Sequence, residues 1–287
     1  MTANPTVRKT KRDNRSLLAK YAAAPHIVWA ILFIIAPLIF VGYYALTDAN
    51  GAFSLSNLAE FFSPAYFKIF LRSVRLAFIS TLICLLLGYP IAYFISRSKP
   101  KTQRILILLL MLPMWMNFLI RTYAIMVLVQ DTGIINTFLG NFGIAPMHIL
   151  GTESAVVLGM VYDYLPYMIL PIYSVMAKLD YRLVEAASDL GCNGFGVLRK
   201  VIFPLSISGV ISGITMVFVP SISTFYISQK LGGPETLLIG DIIEQRYASS
   251  DYNMAAALSF VLMLILIIGL AIVNRYTDGD EGGGMMI

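Results

Sequence analysis

Charge is what this 287-residue chain has least of. Only 13% of its residues are Asp, Glu, Lys or Arg, about half the share of an ordinary soluble domain. It has two histidines, His26 and His148, and two cysteines, Cys84 and Cys192. Two cysteines on different levels make neither a zinc cluster nor a disulfide framework, so Cys84 reads as a packing residue. No HExxH, no GxSxG and no Gly-Lys-Ser/Thr phosphate loop occurs. The chain therefore has no metalloprotease helix, no nucleophile elbow and no usual means of holding ATP. No repeat of 20–50 residues is present either.

What fills the chain instead is apolar. The hydrophobic share is 58% and the mean hydropathy is +0.76. A spanning helix needs roughly 20 mostly apolar residues. Six segments qualify: His26–Leu46, Val74–Ile95, Ile105–Val129, Ala155–Met176, Ser206–Ser228 and Met254–Val273. They are too long and too continuously apolar for barrel strands, and a spanning backbone must satisfy its own hydrogen bonds. The expected fold class is all-α and polytopic, with six transmembrane helices. The first run is preceded by basic residues, as a signal peptide would be. Its length and weak cleavage site make it an uncleaved span.

Basic residues set the orientation. Arg8, Lys9, Lys11, Arg12, Arg15 and Lys20 precede the first span. Arg97, Lys99, Lys101 and Arg104 fall in the second connection, Lys178, Arg182, Arg199 and Lys200 in the fourth, and Arg275 after the last span. The opposite side carries only Lys68, Arg72, Arg75, Lys230 and Arg246. By the positive-inside rule both termini are cytoplasmic. The net charge of +5 thus reflects topology and membrane lipid, with no need of a nucleic-acid partner. Residues 1–25 read as a basic cytoplasmic tail, 26–273 as the membrane domain and 274–287 as a disordered cytoplasmic tail. The stretch "SLSNLAEFFSPAYFKIFLRS" suits an interfacial helix on the outer face.

Proline falls within five of the six spans, at Pro37, Pro90, Pro113, Pro166 with Pro171, and Pro220. Each removes a backbone donor and tends to bend its helix. Bends at Pro113, Pro166 and Pro220 would shape a cavity, although proline is also simply commoner in membrane helices. Gly209 and Gly213 form a small-xxx-small pair that permits close helix approach.

One polar stretch interrupts this pattern: "LVEAASDLGCNGFGVLRKVIFPL", Leu183–Leu205. Glu185, Ala186 and Ala187 make a helical start with little side-chain bulk, so another surface can approach the backbone. Gly191 and Gly194 can take positive φ and turn the chain between two short helices. Pro204 can open the next span. The expected shape is a short helix lying across the membrane rather than through it.

This stretch resembles the EAA loop of ABC-importer permeases, whose pattern is EAA, three residues, Gly, nine residues, then Ile-x-Leu-Pro. Glu185, Ala186, Ala187, Gly191 and Pro204 match in register, with Val201 and Phe203 in place of Ile and Leu. "LPMWMNFLIRTYA", "VYDYLPYMILPIYSVMAKLDYRLVEAASDLG" and "ISQKLGGPETLLIGDIIEQRY" extend the likeness over residues 26–273, toward spermidine/putrescine permeases of the PotB/PotH type. The resemblance implies a type I (MetI-like) permease bundle in a bacterial inner membrane. It implies a second homologous permease, two copies of a separate ABC ATPase that binds ATP and Mg, and an extracytoplasmic polyamine-binding protein. In that family the EAA loop fits a groove on the ATPase, so Glu185, Ala186, Ala187, Gly191 and Pro204 are coupling residues, and this chain has no catalytic residue or cofactor of its own. Related permeases carry iron, sulfate or molybdate, and an ion-coupled carrier is a further alternative, though it has no need of such a loop.

A polycation calls for carboxylates and aromatic faces. The outer loops hold eight acidic residues against five basic ones. Two charges fall inside spans, Arg121 and Asp163, each eight residues from an outer end. That is a depth of roughly 12 Å. Asp163 is bracketed by Tyr162 and Tyr164, with Tyr167 a turn on. Two arrangements are open: Arg121 neutralises Asp163, or Asp163 faces the pathway and meets cargo. Trp115, Asn117 and Tyr123 on the third span are further candidates for the path, with packing as the plain alternative for Trp115.

Overall fold

The computed structural model describes residues 25–48 and 50–282. The expected basic tail thus lies, Pro25 apart, outside the described residues, as do 283–287. Among those described, the regular structure is helical, with two isolated bridges, Thr47 to Phe53 and Gly151 to Gly232. Five helical stretches are long and apolar enough to cross a membrane, or six if one bent pair counts as a single span.

The first span, α1, is Pro25–Ala45. A short helix, α2 (Ser56–Phe61), leads to α3 (Pro64–Arg97). Only α2 stands apart as a separate helix before the second span. The rest of the expected interfacial segment is the first part of α3, which starts ten residues earlier than the apolar run. Pro64 at its first turn is pre-organised for helix entry and lacks the N–H that would go unpaired there.

The third span departs most from expectation. In place of one helix over Ile105–Val129, the chain forms α4 (Pro100–Met111), a tight turn (Leu112–Trp115), and α5 (Phe118–Val129). Pro113 sits in the turn, Met116 is extended, and the Asn117 side chain accepts the Leu119 N–H at 2.8 Å to start the new helix. Partner positions explain the slack. Gln103 bonds Tyr173 and Arg121 meets Asp163. Eighteen helical residues would rise about 27 Å, whereas the ten between their partners rise about 15 Å. A straight third helix does not fit that registry. α6 (Ile134–Gly140) follows, and Asn136 ties it to the Met147 backbone through two hydrogen bonds of 2.8 and 3.0 Å.

The fourth span, α7 (Glu153–Met176), runs unbroken through Pro166 and Pro171. Two helices of the polar loop follow, α8 (Tyr181–Asp189) and α9 (Gly194–Leu205). The fifth span, α10 (Ile207–Ser223), ends five residues short of expectation. Thr224 is extended, and α11 (Tyr226–Leu231) is separate. α12 (Ile239–Ala248) begins against this break: a Cβ on Gly240 would lie 2.5–2.6 Å from the Thr224 and Ser223 carbonyl oxygens. α13 (Tyr252–Gly282) supplies the sixth span over Tyr252–Val273. It stays helical through Gly282, where disorder is the sequence expectation. Extending an existing helix costs far less than nucleating one.

The centre is the trio α3, α7 and α10. Lipid tails are as apolar as leucine, so close packing rather than water exclusion holds such helices together. The small residues carry that packing. A Cβ on Gly209 would lie 3.0 Å from the Ile172 Cα and the Pro171 carbonyl; one on Gly213 would lie 2.8 Å from the Met168 sulfur. Gly88 brings α3 equally close to Met168. Cys84 is fully buried in the same cluster with Met168, Ile169 and Val217. α1 contrasts with this: none of its apolar window is buried, and its main neighbour is α13.

Candidate functional site

The polar loop is built by capping. Asp180 accepts the Arg182 N–H at 3.0 Å and starts α8. At the other end the Cys192 N–H reaches the Ala187 carbonyl and the Gly191 N–H reaches that of Ser188. These two bonds are a Schellman closure, and it needs a residue of positive φ at Gly191, where φ is +83°. Asn193 then accepts the Gly196 N–H at 2.8 Å and opens α9. Gly194 is therefore the first residue of a helix, not a second positive-φ hinge. Pro204 does not open the fifth span either. It lies in the last turn of α9, and the chain bends by 68° between α9 and α10. The corner residue Ser206 is buried, donates to the Phe203 carbonyl at 3.1 Å and lies 3.0 Å from the Tyr89 hydroxyl of α3.

One side of this elbow is sealed to the bundle. Ala187, Val197 and Ile202 join the cluster of Ala92, Ile95 and Met176. The other side is open: Glu185, Ala186 and Gly191 are exposed. Two apolar side chains stand out from it, Leu190 at 86% exposure and Phe195 at 71%. The sequence reading misses both. The available signal is a large apolar residue on each side of the Gly191 turn in an otherwise polar loop.

At mid-membrane Arg121 and Asp163 do meet. Arg121 Nε lies 3.3 Å from Asp163 Oδ1, with side chains 7% and 1% exposed. Thr122 donates to Asp163 Oδ2 at 3.3 Å. The contact is one of charge more than of aligned hydrogen bonds, since Arg121 Nε, Arg121 Nη1 and Asp163 Oδ1 have no hydrogen-bond partner among the described residues. The expected carboxylate–tyrosine cluster divides. Asp163 points between α7 and α5, whereas Tyr162 and Tyr167 are exposed. Tyr164 and Tyr167 pair at 6.4 Å between ring centres. Successive helical residues are turned by about 100°, so Tyr162 and Asp163 face different ways. Trp115 and Tyr123 are exposed on the broken third span, and Asn117 serves as the cap of α5.

The far end of the bundle carries groups that hydropathy hides. Asp241 is fully buried and accepts hydrogen bonds from the Leu238 N–H at 2.7 Å and the Ser228 hydroxyl at 2.9 Å. Burial pushes its carboxyl up to about 6, against those two bonds, which lower it. The neighbouring Ile239 N–H donates to Ser73 Oγ of α3 at 2.8 Å. Glu153 at the start of α7 bonds Arg75 at 2.5 and 2.6 Å and lies 3.7 Å from Arg72.

Comparison with known proteins gives these features a family. The family described as "Binding-protein-dependent transport system inner membrane component" matches residues 85–278. The spermidine/putrescine transport system permease protein PotB of Haemophilus influenzae is 40% identical over 251 residues, covering 83% of this chain and 88% of that protein. Its Escherichia coli K12 counterpart is 37% identical over 247 residues, covering 83% and 90%. Among solved structures, a chain of a bacterial alginate ABC transporter, in complex with an alginate pentasaccharide-bound periplasmic protein, superposes with a TM-score of 0.79. It covers 94% of this chain and 96% of that one, at 14% identity. At that identity the likeness speaks to the fold, the ABC-importer permease bundle.

Proposed function

Because this chain belongs to the family of binding-protein-dependent transport system inner membrane components, we propose that it is the permease subunit of an ATP-driven importer of polyamines. The observation that carries the coupling half of this reading is the elbow. Its inner side is packed into the bundle core, and its outer side presents Glu185, Ala186, Leu190 and Phe195 to whatever lies beneath. A push on α8 and α9 reaches α3 and α7 through Ala187, Val197 and Ile202, and reaches α10 through the corner at Ser206. The motor is a pair of separate ATPase subunits that hold ATP and Mg, so hydrolysis chemistry lies outside this chain. A second, homologous permease completes the pathway, and an extracytoplasmic binding protein delivers cargo. Both termini face the cytoplasm, as the basic loops require.

The cargo half rests on the relatives' names and on the chemistry of a flexible polycation. Exposed Tyr162 and Tyr167 offer aromatic faces to ammonium groups. Arg121 holds the nearby Asp163 carboxylate, which becomes available to cargo only if the pair separates as the pathway opens. Glu185→Lys or Gly191→Val in the reconstituted transporter tests the coupling role. The expected outcome is normal insertion with ATP hydrolysis no longer driving uptake. Wild-type uptake by both variants defeats it. Stimulation of ATPase activity by spermidine- or putrescine-loaded binding protein, but not by sulfate-, molybdate- or iron-loaded ones, tests the cargo.

A further inference from the structure

Positively charged residues are scarce at the end of the bundle away from the elbow, yet three of the five gather on one face of α3. Lys68, Arg72 and Arg75, with Leu71 and Glu153, line a recess of about 260 Å³. Lys68 makes no ion pair among the described residues, and Arg75 remains 57% exposed despite its contact with Glu153. Arg72 donates to the Glu235 carbonyl of the turn beside α12. Three cations therefore face one carboxylate in the recess.

The same face continues down the helix. Leu71, Phe78, Leu82 and Leu86 are exposed and, with Lys68 and Arg75, recur at steps of three and four residues; Ile79 beside them is exposed too. The opposite face, with Ser73, Ala77, Ser80, Cys84 and Gly88, is buried against the bundle. Depth fits a bilayer. Arg75 and Arg97 are 22 residues apart, about 33 Å of helix, close to the roughly 30 Å of a hydrocarbon core. Arg75 therefore sits at one hydrocarbon boundary, Arg72 and Lys68 at headgroup level, and the apolar stripe in the acyl region below them.

We propose that this face of α3 is a binding site for an anionic phospholipid. Its phosphate lies in the recess against Lys68, Arg72 and Arg75, and its acyl chain lies along Phe78, Leu82 and Leu86. A docked water-soluble protein would use the charged recess but not the stripe that runs from about 5 to about 16 Å beneath Arg75. A phospholipid uses both. Guanidinium forks suit phosphate oxygens, and a basic group at a membrane surface contributes about fivefold in affinity for anionic lipid.

The test is native mass spectrometry of the assembled transporter in detergent carrying equal amounts of phosphatidylglycerol and phosphatidylcholine. The wild type is expected to retain phosphatidylglycerol preferentially. The Lys68→Gln/Arg75→Gln variant is expected to lose that preference by at least about tenfold, while Lys230→Gln and the charge-keeping Arg75→Lys are not. Lys68→Gln alone, which leaves the Glu153 contact intact, is expected to lose about fivefold and guards against misfolding of the double variant. Equal retention of the two lipids, an unchanged preference in both Gln variants, or cross-linking of the Lys68→Cys variant to the second permease overturns the proposal.

Discussion

The helix trio α3–α7–α10 and the elbow α8–α9 lie next to each other in the chain but are built on opposite plans. The trio is closely packed: its glycines meet backbone and methionine at van der Waals limits, and its deep carboxylate, Asp163, is paired with Arg121 of the adjoining α5. The elbow is finished on one side only. Its caps are complete, Asp180, Gly191 and Asn193 accounting for the helix ends, yet Leu190 and Phe195 are left uncovered. Capped helix ends with uncovered apolar side chains describe a well-formed frame whose outer face is left unpacked. Within one chain, then, tight packing marks the part that is complete in itself, and exposed apolar groups on a capped frame mark the part that is left open.

Four variants break or sharpen this contrast, ranked by expected loss of stability. Asp163→Ala strands the buried Arg121 charge and should cost about 3–5 kcal/mol. Thermal unfolding in detergent measures it, and a double cycle with Arg121→Leu should be strongly non-additive. Gly213→Leu forces side chain into Met168 and the α7 backbone, for about 3 kcal/mol of overpacking, read as a lower Tm. Asp241 gives a pH signature. Its folded carboxyl near 6 lies above the ordinary 3.8, so the folded state binds the proton more tightly. Its contribution is greatest below pH about 4, falls as pH rises toward about 6, and stays low above that. Relative to Asp241→Asn, which lacks the titration, the wild type should lose about 3 kcal/mol across that window. Leu190→Ser with Phe195→Ser should change stability by less than about 0.5 kcal/mol yet abolish ATP-driven uptake. A fall in Tm as large as that of Gly213→Leu would place these residues with the packed trio and remove the contrast.

How legible each part was depends on the range of the forces that shape it. Spans four and six could be read almost to the residue, because α7 and the apolar part of α13 follow from local hydropathy. The elbow was legible too, since Glu185, Ala186, Ala187 and Gly191 are close in sequence and the Gly191 turn is a local closure. The third span was not. Its break at Met116–Asn117 answers to a registry with α7, set by Tyr173 and Asp163 far along the chain, as much as to Pro113 itself. Pro166 and Pro171 show the converse, since neighbours hold α7 continuous through both. Arg121 and Asp163 were visible as misplaced charges at a shared depth. That they face each other, and that Tyr162 turns away, depends on helix rotation, which hydropathy leaves free.

The sequence by itself determined the helical class, most of the crossings, the charge asymmetry and the capped elbow, because each follows from nearest neighbours or from one side chain's preference for lipid or water. The tertiary structure alone decided where the third and fifth crossings break, which side of the elbow is left open, and that three cations align above an apolar stripe on α3. Those features depend on how rigid helices are rotated and slid against one another. In a bilayer, where apolar surface gains nothing by leaving lipid, that choice is made by shape and by paired charge.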